Sequence, residues 1–412
     1  MLAEFACPAA YLIYLECGCG GDCNYYCYEP KLIMACRQFA LLQSIDAVVG
    51  KVGGTAALEK ALAGEELSYD DGVQLMKEEN LFLLGAAADR LRKDLAGNTV
   101  TFVSSYYLNY TNVCAASCPL CAFYRKGDEA DAYTLTPEQI AGRAKVAIEQ
   151  LGATELHIVG GFHPKLGLDY YENMMKAIKA AHPEVTIKAF TPAEIFFIGR
   201  LTRNSVKEVL LRLKAAGLDA LPGGGAEIFH PDTRKQIVIG KCSGDEWLDT
   251  ARQAHELGIR SNCTMLFGHV EKPEHVVDHV IKIRDLHKKT GGFTTFIPLK
   301  FSLENTELEQ KGLIKSESPS PYDLRVIAVS RLLLGSVLRN VSVYWVALGK
   351  KIAQVALSYG GNDMVGTAYS EEIFKAAGKA SGTSLQELAS MVREIKREPA
   401  QRDTFFNILQ RF

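Results

Sequence analysis

Eight short apolar runs, each ended by glycine, proline or polar residues and most followed by a helical segment, constrain this 412-residue chain more than any other feature. They cover 100–108, 154–161, 186–191, 218–222, 260–267, 293–301, 339–346 and 353–360. Several of the intervening segments open with an S/T-x-x-E/Q box, in which a hydroxyl and a carboxylate or amide reciprocally satisfy the exposed amides of a helix start. Such boxes stand at Thr136 with Gln139, Ser205 with Glu208 and Ser243 with Glu246, and they fix the order as strand, then helix. Eight parallel strands joined in this way predict an α/β fold of TIM type, a (β/α)8 barrel whose chemistry lies on the loops after the strands. The barrel is expected over 99–368, preceded by a helical lead-in over 46–98 and followed by a helical, charged cap over 369–412 that breaks at Pro399. The last run, 353–360, leads into Gly360-Gly361-Asn362-Asp363-Met364-Val365-Gly366-Thr367, whose turn residues predict a loop.

Lys and Arg number 46 against 48 Asp and Glu, and with 23% charged residues the composition is that of a globular protein without a basic stripe. A nucleic-acid partner is therefore excluded. No apolar run reaches the roughly 18 residues of a membrane span. The stretch from Ala9 to Leu15 follows Glu4 rather than a basic residue, so a cytoplasmic protein is expected.

Eleven cysteines are many for such a chain, and their odd number argues against a disulfide framework. Six lie in residues 1–45, an irregular extension in which Cys19, Cys23 and Cys27 repeat at four-residue spacing and Met34 offers an alternative start. Cys242 and Cys263 read as small buried hydrophobes. Cys114, Cys118 and Cys121 form a C-x3-C-x2-C loop directly after the first strand. Three such thiolates can each hold one iron of a [4Fe–4S] cluster; a zinc site completed by a distant histidine, or three structural cysteines, are the other readings of the spacing.

The remaining strand ends carry further candidates. Gly160 and Gly161 permit close backbone approach, and His163 follows them as a substrate contact or a turn cap. Thr191 and Glu194 follow the third strand; Gly223-Gly224-Gly225 and Glu227 follow the fourth, where Ile228 breaks any dinucleotide fingerprint. Glu194 and Glu227 can accept from ribose hydroxyls or an amine, or simply face a helix start. Arg234, His230 and His269 are candidates to hold substrate carboxylates.

The stretch N-x-T-N-x-C-x3-C-x2-C-A-F at 109–123 resembles the radical S-adenosylmethionine superfamily, in the branch that makes menaquinone and deazaflavin precursors. The resemblance implies a cluster on Cys114, Cys118 and Cys121, S-adenosylmethionine as co-substrate, and an electron donor such as flavodoxin or ferredoxin. It also implies that Gly160 and Gly161 hold the methionine amino group, and that Phe123, Leu266 and the turn at Gly268 surround the adenine. Leu221-Pro-Gly-Gly-Gly-Ala-Glu-Ile-Phe229, Arg260–His269, Phe296–Phe301, Tyr344-Trp345 and Arg402-Asp403-Thr404 look most like the aminofutalosine synthase family. That likeness implies addition of a 5′-deoxyadenosyl radical to the enol ether of 3-[(1-carboxyvinyl)oxy]benzoate, aryl rearrangement and decarboxylation. Sister enzymes of the branch, the later cyclase and the deazaflavin-precursor synthase, abstract hydrogen instead.

Overall fold

The computed structural model describes residues 55–412, so the cysteine-rich residues 1–45 lie outside the described residues. Three helices, Ala56–Leu62, Tyr69–Met76 and Leu81–Ala96, lead in. The first apolar run then splits at Ser104 into β1 (Thr99–Val103) and β2 (Ser105–Asn109). Next come β3 (Glu155–Val159), β4 (Thr186–Ala189), β5 (Ala220–Leu221), β6 (Arg260–Phe267), β7 (Phe293–Lys300) and β8 (Asp363–Gly366). Strands β2 to β7 pair in order, all parallel. Single bridges from Phe296 to Val341 and from Ser342 to Asp363, with parallel pairing of β8 to β1, close the ring.

The predicted capping boxes form at Thr136, Ser205 and Ser243, and a fourth joins Thr191 to Glu194. Each is worth about 1 kcal/mol and sets where a helix leaves its strand. The helices then bury one stripe: Gly244–Glu256 presents Trp247, Thr250, Ala251 and Ala254 inward, at helical spacing. Trp247 also donates from Nε1 to the Gly224 carbonyl at 3.1 Å, which ties this helix to the glycine loop above the barrel.

Three expectations are corrected. The run 339–346 forms no strand, only single bridges at Val341 and Ser342 before the short helix Trp345–Leu348. The run 353–360 is not the eighth strand; it continues the helix Lys350–Ala356 and a turn. Ala353, Ala356 and Leu357 are buried while Val355 is exposed, a helical period that the short run disguised. The eighth strand is β8, inside the segment predicted to be a loop. The tail is also not wholly helical. After helices at Glu372–Ala376 and Leu385–Glu394 it forms β9 (Glu398–Arg402) and β10 (Ile408–Arg411), β9 pairing parallel with β1 and antiparallel with β10. Pro399 breaks nothing, because it stands near the start of β9, where a missing ladder donor is tolerated.

This tail carries the plug of the barrel floor. Arg402 donates to both oxygens of Asp363, at 2.6 and 3.0 Å, and Asp363 also accepts from Thr101 at 2.6 Å and Ser342 at 2.7 Å. Beside it Glu155 pairs with Lys188 at 2.6 Å and accepts from Thr404 at 2.8 Å. All of these side chains are buried. Removing one member of a buried pair strands the other charge without a partner. Arg402→Met is therefore expected to destabilise the fold by about 3 kcal/mol, read from the shift of a urea denaturation midpoint.

Candidate active site

A cavity of about 260 Å³ opens among the C-terminal ends of the strands. All three cysteines of the C-x3-C-x2-C loop line it, together with Phe123, Gly160, Gly161, Thr191, Glu194, Glu227 and Leu266. Gly268, His163, Arg234 and His269 do not.

The cysteine loop is held from outside. Lys126 donates to Ser117 Oγ at 2.7 Å and to the carbonyls of Cys114 and Ala116, and Arg125 grips the carbonyls of Ala122 and Tyr124. From inside, the Phe162 amide donates to Cys114 Sγ at 3.2 Å. Burial pushes the Cys121 thiol up to about 11 and raises that of Cys114, so binding of iron by thiolates would release protons. Among the described residues no three Cys, His, Asp or Glu side chains converge as ligands of a single ion. A closed tetrahedral zinc site needs four ligands on one ion, whereas a cubane asks for separate thiolates on separate irons. The donor set, three thiols on one loop facing a cavity, thus fits a cluster with one iron left open.

Gly160 and Gly161 make room chiefly for this loop. A Cβ on Gly161 would stand 2.3 Å from the Val113 carbonyl oxygen and 3.1 Å from Cys114 Cβ, and one on Gly160 would strike the Tyr110 ring. Glu194 is fully engaged: Oε2 accepts from Thr191 N and Oγ1, both at 2.8 Å, while Oε1 accepts from Tyr110 OH at 2.9 Å and Gly160 N at 3.0 Å. It caps the helix Pro192–Thr202 and fixes the glycine turn, leaving neither itself nor the Thr191 hydroxyl a spare position for a ligand. Glu227 sits at positive φ (49°) and pairs with Lys241 at 2.8 Å. Leu266 presents its side chain to the cavity, but its amide donates to the Glu227 carbonyl and its carbonyl accepts from His269.

Three expected substrate contacts have protein partners and stand outside the cavity lining. Arg234 is buried and spends its guanidinium on the carbonyls of Gly225, Ala226, Ile228 and Cys242, bracing the triple-glycine loop. His269 folds onto Leu266 O and the Val270 amide, beside Glu271. His163 accepts from Lys165 N at 3.1 Å and so caps its own turn. Gly268 serves a turn: its amide donates to Glu271 at 2.6 Å, and φ there is 85°.

The sequence reading passed over the other wall. Tyr107 stacks on His157 at 4.2 Å, and Tyr344 meets Phe374 edge-on at 5.2 Å. Burial holds His157 down to about 3, so it is neutral. Glu371 caps the helix Glu372–Ala376 by accepting from Ile373 N and Phe374 N, and burial pushes its carboxyl up to about 7. Lys241, Asn262, Thr264, Ser302 and Tyr124 add further polar groups to the lining. Only alternation along strands hinted at Tyr107, His157 and Asn262; nothing local marked Lys241 or Glu371.

Residues 108–283 match the Radical SAM superfamily and residues 290–411 the CofH/MqnC C-terminal region. The chain belongs to the radical S-adenosylmethionine superfamily. It is 39% identical over 348 residues to 5-amino-6-(D-ribitylamino)uracil–L-tyrosine 4-hydroxyphenyl transferase of Methanothermobacter thermautotrophicus, covering 82% of this chain and 95% of that one. It is 38% identical over 364 residues to aminodeoxyfutalosine synthase of Streptomyces coelicolor, covering 86% and 93%. Among solved structures it is similar to methylornithine synthase (PylB), with TM-score 0.66 at 18% identity over 84% of this chain and 97% of that one. The FeFe-hydrogenase maturase HydG from Carboxydothermus hydrogenoformans gives TM-score 0.67 at 17% identity, over 89% and 85%. Both share the fold.

Two predictions follow the geometry of this site. Gly161→Ala should push the Cys114 segment away and lower iron and sulfide per chain after anaerobic reconstitution, with the circular dichroism of the fold retained. Glu371 binds its proton more tightly folded than unfolded, so stability should fall as pH rises from about 4.5 to about 7. Glu371→Gln should flatten that fall by roughly 3 kcal/mol, measured by denaturation at pH 5 and pH 8.

Proposed function

We propose that the chain is an aminofutalosine synthase, joining the 5′-deoxyadenosyl group of S-adenosylmethionine to 3-[(1-carboxyvinyl)oxy]benzoate with loss of carbon dioxide, for menaquinone synthesis. The observation that carries this reading is one cavity lined both by three thiols and by the aromatic wall of Tyr107, His157, Tyr344 and Phe374, which suits an aryl acceptor. The long alignment with the Streptomyces enzyme supports it.

Cys114, Cys118 and Cys121 would hold the cluster, which when bound supplies the electron that cleaves the sulfonium bond of S-adenosylmethionine. That co-substrate would lie against Phe123, Gly160, Gly161, Glu227 and Leu266. A primary alkyl radical reacts with whatever it meets, so the protein's part is to exclude water and hold the alkene in near-attack geometry. Ile297, Leu299, Phe301 and Val365 make the remaining wall apolar. A low-potential one-electron protein such as flavodoxin or ferredoxin would serve as donor.

A second reading, hydroxyphenyl transfer from L-tyrosine, is favoured by one feature: Lys241, the one Lys or Arg among the described residues that lines the cavity, is already paired with Glu227. Incubation of the reconstituted protein with S-adenosylmethionine, dithionite and either acceptor set separates the two. Mass spectrometry should find an adenosyl–aryl adduct with the enol ether. Only 5′-deoxyadenosine there, with hydroxyphenyl transfer from tyrosine to the ribitylaminouracil, would replace the first reading by the second.

A further inference from the structure

The acceptor of the proposed reaction carries two carboxylates, and among the described residues the cavity that would receive it is lined by Glu194, Glu227 and Glu371 against one Lys or Arg, the paired Lys241. Recognition of a carboxylate must then fall to neutral donors without another partner. Asn262 meets this condition. It is buried on β6, lines the cavity, and its Oδ1 accepts from Thr294 Oγ1 at 2.7 Å. That bond fixes the carboxamide plane and leaves the Nδ2 group, which makes no hydrogen bond to the protein, as the free end. Ser302, just past β7 in the same lining, is a second such donor: its hydroxyl is buried and has no partner. The Ser302 hydroxyl is withdrawn from water without a partner among the described residues, which costs free energy that a ligand would restore.

We infer that Asn262 Nδ2, assisted by Ser302 Oγ, anchors the benzoate carboxylate of the acceptor and is so a specificity-determining residue of this site; the inference rests on the proposed synthase reading. A neutral amide is suited to the task. It donates to the carboxylate without adding a second cation beside Lys241, and its orientation is set beforehand by Thr294, so little freedom is lost on binding.

The test compares 3-[(1-carboxyvinyl)oxy]benzoate with its benzoate monomethyl ester, which keeps the enol-ether carboxylate that leaves as carbon dioxide, in wild-type protein, Asn262→Ala, Asn262→Asp and Ser302→Ala. Iron content and the electron paramagnetic resonance spectrum of the reduced cluster establish that each variant is loaded. Asn262→Ala should raise KM for the diacid about 10- to 100-fold, the range expected for one hydrogen bond to a charged group. Asn262→Asp should suppress the diacid further while sparing the ester, because carboxylate would then face carboxylate. Ser302→Ala should raise KM for the diacid less. Unchanged KM in loaded Asn262 variants, or equal losses for diacid and ester, would overturn the assignment. If wild-type protein itself leaves the diacid unconverted, it is the synthase reading that fails.

Discussion

Asp363 occupies the seam at which the barrel closes. It begins β8, the strand that joins β1 to the Val341–Ser342 bridge, and its carboxylate gathers donors from β1, from Ser342 and from Arg402 in the tail. A carboxylate this deep is tolerable only with every lone pair engaged and a cation at hand. Arg402 supplies that cation from β9, and Glu155, Lys188 and Thr404 extend the same network across the floor. The upper end can then remain hollow because the lower end is closed by charge pairs rather than by layers of large apolar residues.

The upper end shows the same logic with opposite purpose. Its groups are deliberately occupied where a scaffold is needed and idle where a ligand is expected. Glu194 and Arg234, both buried, use their hydrogen-bonding capacity on the glycine turns, and those turns allow the cysteine loop and the β6 backbone to come close. Tyr107, His157, Asn262 and Ser302 face the space that remains.

Local sequence carried much of this. The capping boxes fixed the strand-to-helix direction, and the cysteine spacing put the thiols on the loop after β2, where the structure has them. What escaped was decided by distant partners. β9 has the sequence EPAQR, without alternation or β-branched residues, and is a strand because β1 and Asp363 make it one. β8 is hidden in a glycine- and asparagine-rich stretch, where Asn362 answers Arg331 and Asp363 answers Arg402. For the site, Arg234 and His269 had the right chemistry beside the right strands, but residue type alone cannot tell a side chain that binds ligand from one that braces a loop. Glu371 and Lys241 are ordinary charged residues in sequence, and only burial makes them distinctive.

The floor also bears on how the protein comes to be made. β1 and the β9–β10 hairpin that pairs with it lie about 300 residues apart, so a nascent chain has all its cysteine ligands long before the strand that seals it. Sealing of the floor is thus a late step of folding, one that waits on the long-range pairing of β9 with β1.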